Sequence, residues 1–146
     1  MSKKTIVICC SSAFYKHANE IASKLEKLGY NVVVPATALI MRKNGKYDRS
    51  ATQTWIDNPA DIHIKVGKMD AHFAEIKKGD AILVLNDDKP NLPKYIGPNT
   101  LMEWGVAAYL GKPVFIFYGV DKTANTYEEV LTATAVLDGD LSKIEL

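Results

Sequence analysis

The chain has 146 residues, of which 47% are hydrophobic and 24% charged, with a formal net charge of +1. These values predict one domain with one core spanning residues 1–146, and they exclude the basic surplus expected of a nucleic-acid binder. No apolar stretch approaches the ~20 residues a membrane helix needs, so no membrane partner is expected.

Met1-Ser2-Lys3-Lys4 runs directly into Thr5-Ile6-Val7-Ile8 without a signal-peptide pattern, which predicts a cytoplasmic protein. Thr5 to Cys10 is a continuous apolar, β-branched run, the pattern of a strand buried on both faces. Its adjacent Cys9 and Cys10 have neither the spacing for a mutual disulfide nor a Cys-x-x-Cys, and read as buried structural thiols. Phe14, Ala18, Ile21, Leu25 and Leu28 recur at helical spacing, and Gly29 ends that helix. Asn31 to Val34 forms a second strand, stopped by Pro35. From Ala36 to Pro59 no period is visible, and Asn44-Gly45 signals a turn; so long a connection suits a functional loop.

Ile62, Val66, Met69, Phe73 and Ile76 predict the second helix, closed by Gly79, and Ala81 to Leu85 the third strand. A proline-rich loop from Asn86 to Pro98 leads into a helix over Thr100 to Leu110. Pro113 to Phe117 is a fourth strand, Tyr127 to Ala133 a short helix, and Ala135 to Leu137 a weak last strand. Alternating strands and helices predict right-handed βαβ crossovers and a parallel sheet covered on both faces. Five strands favour a flavodoxin-like three-layer α/β sandwich of order 2-1-3-4-5. A ligand then sits beyond the carboxyl ends of the first and third strands, against the loops Cys10 to Phe14 and Asn86 to Pro98.

Three groups near that crevice can carry chemistry. Glu103 is the only charge between Thr100 and Gly111. Leu101, Trp104, Gly105 and Ala108 share one face, assigned to the sheet, with Glu103 on the other side among Val106, Ala107 and Leu110. A helix apolar on both sides suggests that a partner subunit covers the second. Thr100-x-x-Glu103 also fits a capping box, which makes Glu103 a helix cap rather than a reactive group. Lys65, Lys68 and His72, spaced i, i+3 and i+7, line one flank of the second helix. They read either as a solvated edge or as a cationic strip for a phosphate, with His72 donating a proton; His63, on the opposite flank, has no role. Ser11 and Ser12 open the first helix, where free N–H groups either receive an anion or are simply capped. No Gly-x-Gly-x-x-Gly, Walker loop, Gly-x-Ser-x-Gly elbow or metal-ligand cluster appears, so neither cofactor nor metal is expected.

The stretch from Ile96-Gly97-Pro98-Asn99-Thr100-Leu101-Met102-Glu103-Trp104-Gly105 through Gly111-Lys112-Pro113-Val114 resembles the signature of the nucleoside 2-deoxyribosyltransferase family, which includes related deoxynucleoside-monophosphate N-glycosidases. The Ser-rich turn after the first strand, the Leu28-Gly29-Tyr30 helix end, and the passage from His72 to Leu85 are similar in outline. The resemblance implies a glutamate nucleophile, matched by Glu103, that attacks the anomeric carbon of a (deoxy)ribosyl group. His72 stands where the family commonly has an aspartate, to protonate the base or to hold Glu103. The acidic residue that the transferase branch carries before the glutamate is absent, leaving Asn99 or Asn86 to bind the sugar. Ser11, Ser12, Phe14, Gly97, Lys65 and Lys68 are the further substrate contacts expected of a nucleoside or nucleoside monophosphate site. The family also implies a homodimer or larger homo-oligomer, with Asp138 or Asp140 completing a neighbour's site. Two other readings of the same fold are a non-catalytic nucleotide-binding or sensor module and, by analogy of fold alone, a flavodoxin-type electron carrier.

Overall fold

The computed structural model describes residues 2–146, the side chain of Ala51 apart. Its strands are β1 (Thr5–Cys10), β2 (Asn31–Val33), β3 (Ala81–Leu85), β4 (Val114–Ile116) and β5 (Ala135–Val136). The main helices are α1 (Tyr15–Lys27), α2 (Ala36–Asn44), α3 (Ile62–Lys78), α4 (Pro98–Tyr109) and the single turn α5 (Tyr127–Val130). All strands are parallel, in the order β2-β1-β3-β4-β5, which is the flavodoxin-like arrangement.

Alternation along β1 divides the core into two. Ile6, Ile8 and Cys10 face α1, packing with Leu25, Leu83, Leu85, Phe115 and Phe117. Val7 and Cys9 face the other way, against Ile76 of α3, Trp104 and Ala107 of α4, and Ile82 and Val84. Because both faces are covered, β1 and β3 carry no polar alternation, and their uninterrupted apolar runs are the sequence record of that burial.

The junction from α3 into β3 shows how tightly the layers meet. Gly79 caps α3 in an extended conformation, so it needs no left-handed freedom. A Cβ there would stand 2.7 Å from Val7 Cγ2, inside van der Waals contact, so the missing side chain is what lets the chain turn against β1. Asp80 then accepts from the Thr5 backbone N–H at 2.8 Å, fixing the starts of β1 and β3 together.

Three expectations need correction. The segment from Ala36 is not an irregular connection: it begins as α2, entered through Pro35 and stopped by Gly45 at φ 71°. Only Thr37, Ala38 and Met41 of α2 are buried, too narrow a stripe to register as a period. The rest of the segment, as far as Asp61, is a chain of short 3₁₀ turns. In α3 the expected apolar stripe fails in its first half, where Ile62 and Val66 are exposed because the helix runs past the end of the sheet. In α4 the buried stripe is Thr100, Glu103, Trp104 and Ala107, not Leu101, Trp104, Gly105 and Ala108. The helix starts at Pro98, and its i, i+3, i+4, i+7 row turns Glu103 inward, while Gly105 and Ala108 face outward. Smaller differences shorten β2, β4, β5 and α5 by a residue or more at their ends, as frayed termini do. No helix among the described residues is long and apolar enough to cross a membrane.

Candidate functional site

A cavity of about 560 Å³ opens at the carboxyl ends of β1 and β3, where the strand order reverses. Its floor is Cys10 of β1 and Glu103 of α4. One wall is α3, through Lys65, Lys68, His72 and Glu75; another is the Gly97–Thr100 turn into α4. Ser11, Ser12 and Tyr15 border it from the start of α1. Thr37 and Leu39 of α2, with Gln53, Trp55 and Ile56 from the 3₁₀ turns, close the remaining side.

Glu103 is only 4% exposed. Its Oε1 accepts from the Asn99 side-chain amide at 2.9 Å, one helical turn back, while Oε2 is buried without a hydrogen-bond partner. The α4 N-cap is Gly97 and Thr100 is already inside the helix, so the capping-box geometry does not form. Burial pushes the Glu103 carboxyl up to about 8, opposed by the nearby Cys9 thiol and by the Asn99 amide. An isolated buried carboxylate is expensive unless something supplies donors or opposite charge, so a half-satisfied one at the floor of a cavity makes Glu103 the candidate functional group.

His72 lies deeper than a flank position implies. Its Nε2 is 3.1 Å from the Ile8 carbonyl oxygen and 3.7 Å from Cys9 Sγ. A carbonyl only accepts, so Nε2 carries the hydrogen; burial also lowers the imidazole pKa, keeping the ring neutral. Of the two roles expected of His72, protonating a base or holding Glu103, the second is not formed: the Nε2 hydrogen goes to Ile8, and no hydrogen bond joins His72 to Glu103. Cys9, His72 and Glu103 each place one donor atom within 4.8 Å of the others, a set that can in principle hold a metal ion. The Nε2 that would ligate is directed at Ile8, and burial holds the Cys9 thiol well above its usual range; within the trio only Cys9 and His72 are in hydrogen-bond contact.

Lys65, Lys68, Ser11 and Ser12 line the same cavity. Lys68 Nζ donates to Thr37 Oγ1 and to the Thr52 carbonyl, both at 3.1 Å, and stands over the Trp55 ring at 5.2 Å from its centre. Burial lowers its pKa. Ser12 Oγ receives Gln53 Nε2 at 2.9 Å and Arg49 at 3.3 Å. The 36–61 segment is thereby tied across the cavity mouth to both α1 and α3.

Other expected contacts lie elsewhere. Phe14 is buried in the α1-side core, edge-on to Tyr95. Asn86 accepts from the Tyr118 N–H at 2.8 Å and donates to the Gly119 carbonyl at 3.3 Å, clamping the ends of β3 and β4 rather than lining the cavity. Asp140 is exposed and caps the last 3₁₀ turn through Ser142. His63 is exposed, its Nδ1 3.0 Å from the Ala60 carbonyl. The loop after β3 is pinned by Asp87 to His17 of α1 at 2.7 Å.

Cys9 and Cys10 are free and buried, as expected; the cavity-lining residues that sequence reasoning missed include Tyr15, Thr37, Gln53 and Trp55. The last three fall in the segment without a period, where only the Pro35 and Asn44-Gly45 brackets around an Ala-Thr-Ala-Leu-Ile-Met run signalled a helix. No protein-family model matches the chain, and no curated protein matches it significantly.

Proposed function

We propose that the protein cleaves or transfers the N-glycosidic bond of a (deoxy)nucleoside or nucleoside 5′-monophosphate in the cytoplasm, with Glu103 as nucleophile. The observation that carries this reading is the buried, half-satisfied Glu103 carboxyl at the floor of the switch-point cavity. The Ile96–Val114 resemblance to nucleoside 2-deoxyribosyltransferases supplies the reaction class. In the forward step the carboxylate oxygen bonds to C1′ as the C1′–N bond breaks, and the electron pair leaves with the base. The glycosyl ester is then opened at C1′ by water or by a second base, which frees the carboxylate. Asn99 steadies the ionised form through Oε1. Lys65 and Lys68, on the α3 wall, support a phosphorylated substrate, since a 5′-phosphate presents the anion they lack. With Glu103 near 8, the nucleophile is mostly protonated at neutral pH, and activity rises with pH until the carboxyl is ionised.

That same protonation favours a second reading. A neutral acid at the floor of a cavity can donate a hydrogen bond to a base without reacting, as a nucleotide-binding or sensor module requires. A panel of deoxynucleosides, ribonucleosides and their monophosphates, with and without a free second base, separates the two. Released base means a hydrolase and exchanged base a transferase. Saturable binding with no product over a long incubation leaves the binding module.

A homo-oligomer belongs to the same proposal. Its support is the outward side of α4, where Met102 is 49% and Tyr109 90% exposed, forming an open apolar groove with Phe73 and Val106. Sedimentation of wild type beside Tyr109→Lys reads it: the wild type is larger than one chain and the variant is not.

A further inference from the structure

Four buried side-chain polar atoms among the described residues have no hydrogen-bond partner: Asn19 Oδ1, Asp87 Oδ1, Asn99 Oδ1 and Glu103 Oε2. Only Asn99 and Glu103 of these line the cavity. Their orphan atoms belong to one arrangement. The Asn99 amide gives a hydrogen from Nδ2 to Glu103 Oε1 at 2.9 Å, so Oδ1 and Oε2 are the free ends of two planar groups joined by that bond. Once Glu103 is ionised both are acceptors only, and an unmet buried acceptor is costly. Asn86, the other residue expected to bind the sugar, has no free end: Oδ1 accepts from the Tyr118 N–H and Nδ2 donates to the Gly119 carbonyl. The floor of the cavity therefore asks for a ligand that brings a donor to Asn99.

We infer that Asn99 selects the sugar: its free Oδ1 accepts the 2′-hydroxyl, so the substrate is a ribosyl rather than a 2-deoxyribosyl compound. The inference rests on the reading of Glu103 as the nucleophile and deepens it, narrowing the (deoxy)ribosyl class to its ribosyl half. With Oε1 held by Asn99, Oε2 is the oxygen free to bond to C1′. It approaches from the face opposite the base. In a β-nucleoside the 2′- and 3′-hydroxyls lie on that same face, and the 2′ carbon adjoins C1′. A 2′-hydroxyl thus arrives beside Oε2 with a hydrogen to donate, and Asn99 Oδ1 is the acceptor that lacks one. The hydroxyl keeps its proton while the base leaves with the electron pair of the C1′–N bond. A 2-deoxyribosyl group leaves Oδ1 unmet, and a site built to bond a hydroxyl rejects the analogue without it.

The 2′-hydroxyl also withdraws electrons and slows formation of the oxocarbenium ion, so the test compares proteins rather than substrates. Base release is measured from a ribonucleoside 5′-monophosphate and from its 2′-deoxy and 3′-deoxy counterparts, with wild type, Asn99→Leu and Asn99→Asp. Asn99→Leu removes both the amide and the acceptor. Its kcat/KM should fall for all three substrates, and by about a further tenfold for the ribosyl and 3′-deoxy compounds than for the 2′-deoxy one. Asn99→Asp keeps an oxygen for the hydroxyl and loses only the donor to Glu103, so all three should fall by a similar factor. An equal fall in Asn99→Leu overturns the inference, and so does a fall that spares the 3′-deoxy compound alone, since the donor is then the 3′-hydroxyl. If Asn99→Leu does not fold, Asn99→Ala is read in the same way. Failure of the wider reading looks different. Base release surviving Glu103→Gln removes the nucleophile, and the substrate ratios still report on Asn99. If no base is released at all, calorimetric binding of the three monophosphates decides. Wild type should then bind the 2′-deoxy compound about tenfold more weakly than the other two, and Asn99→Leu should bind all three alike; equal binding to wild type, or none, overturns the inference.

Discussion

The two faces of the sheet are built from the same strands yet are used differently. On the α1 side, Ile6, Ile8, Leu83, Leu85 and Phe115 belong to one apolar cluster. On the α3–α4 side, Val7, Ile82 and Val84 begin the same way, but toward the carboxyl ends the packing gives over to Cys9, His72, Thr100 and Glu103, all buried. Adjacent cysteines make the contrast sharp, since one side chain enters each face. A core that only had to be stable would not place a half-satisfied carboxyl there. The polar end of one face is where stability is given up, at the site of the proposed chemistry.

The strongest way to break this comparison is Glu103→Gln, which keeps the shape and removes the proposed nucleophile. Base release should fall by about a thousandfold or more, measured by chromatography of substrate and product. Stability should move the other way. The unfolded carboxyl ionises near 4.5, while the folded one keeps its proton to about 8, so the folded state binds more protons between these values. Stability therefore falls as pH rises through that window, by up to roughly 5 kcal/mol, and the glutamine variant does not share the fall. Thermal melts at pH 5 and pH 8.5 should show the variant gaining on the wild type; a constant difference would mean that Glu103 is not the strained group.

The closed face should answer only in stability. Leu83→Ala opens a void among fully buried neighbours and should cost about 3 kcal/mol, with base release per folded molecule unchanged at a temperature below the melt. Denaturant unfolding checks the first part and turnover the second. Gly79→Ala comes next, because its new Cβ meets Val7 Cγ2 at 2.7 Å. Either β1 or α3 must shift, for a loss of about 1–3 kcal/mol, and an unchanged melting curve would show that the layers meet less closely there.

Much of this contrast was readable in the chain, and the limits have physical causes. Continuous apolar runs at Thr5–Cys10 and Ala81–Leu85 announce parallel strands, and strand–helix alternation then leaves few topologies. Glu103 announced itself as a lone charge in an apolar helix. Its direction did not: with apolar residues on every side of α4, no stripe stood out, and only the start at Pro98 decides which row faces in. α2 was hidden because three buried residues in nine do not make a period. His72 read as a flank residue because the sequence records spacing but not depth, and its ring is buried against the Ile8 carbonyl of β1.

The gentlest test concerns the wall opposite Glu103. Lys68 donates to Thr37 and to the Thr52 carbonyl and lies over Trp55, so it joins α3 to the segment across the mouth while facing the cavity. If its charge is there for a 5′-phosphate, Lys68→Met should raise KM for a monophosphate by about tenfold, roughly 1.4 kcal/mol, and leave the KM of the matching nucleoside almost unchanged. If the lysine serves only to anchor the segment, both substrates should weaken together. Initial-rate kinetics on the pair distinguish the cases, because an anchor acts on every ligand whereas a counter-charge acts only on the anion.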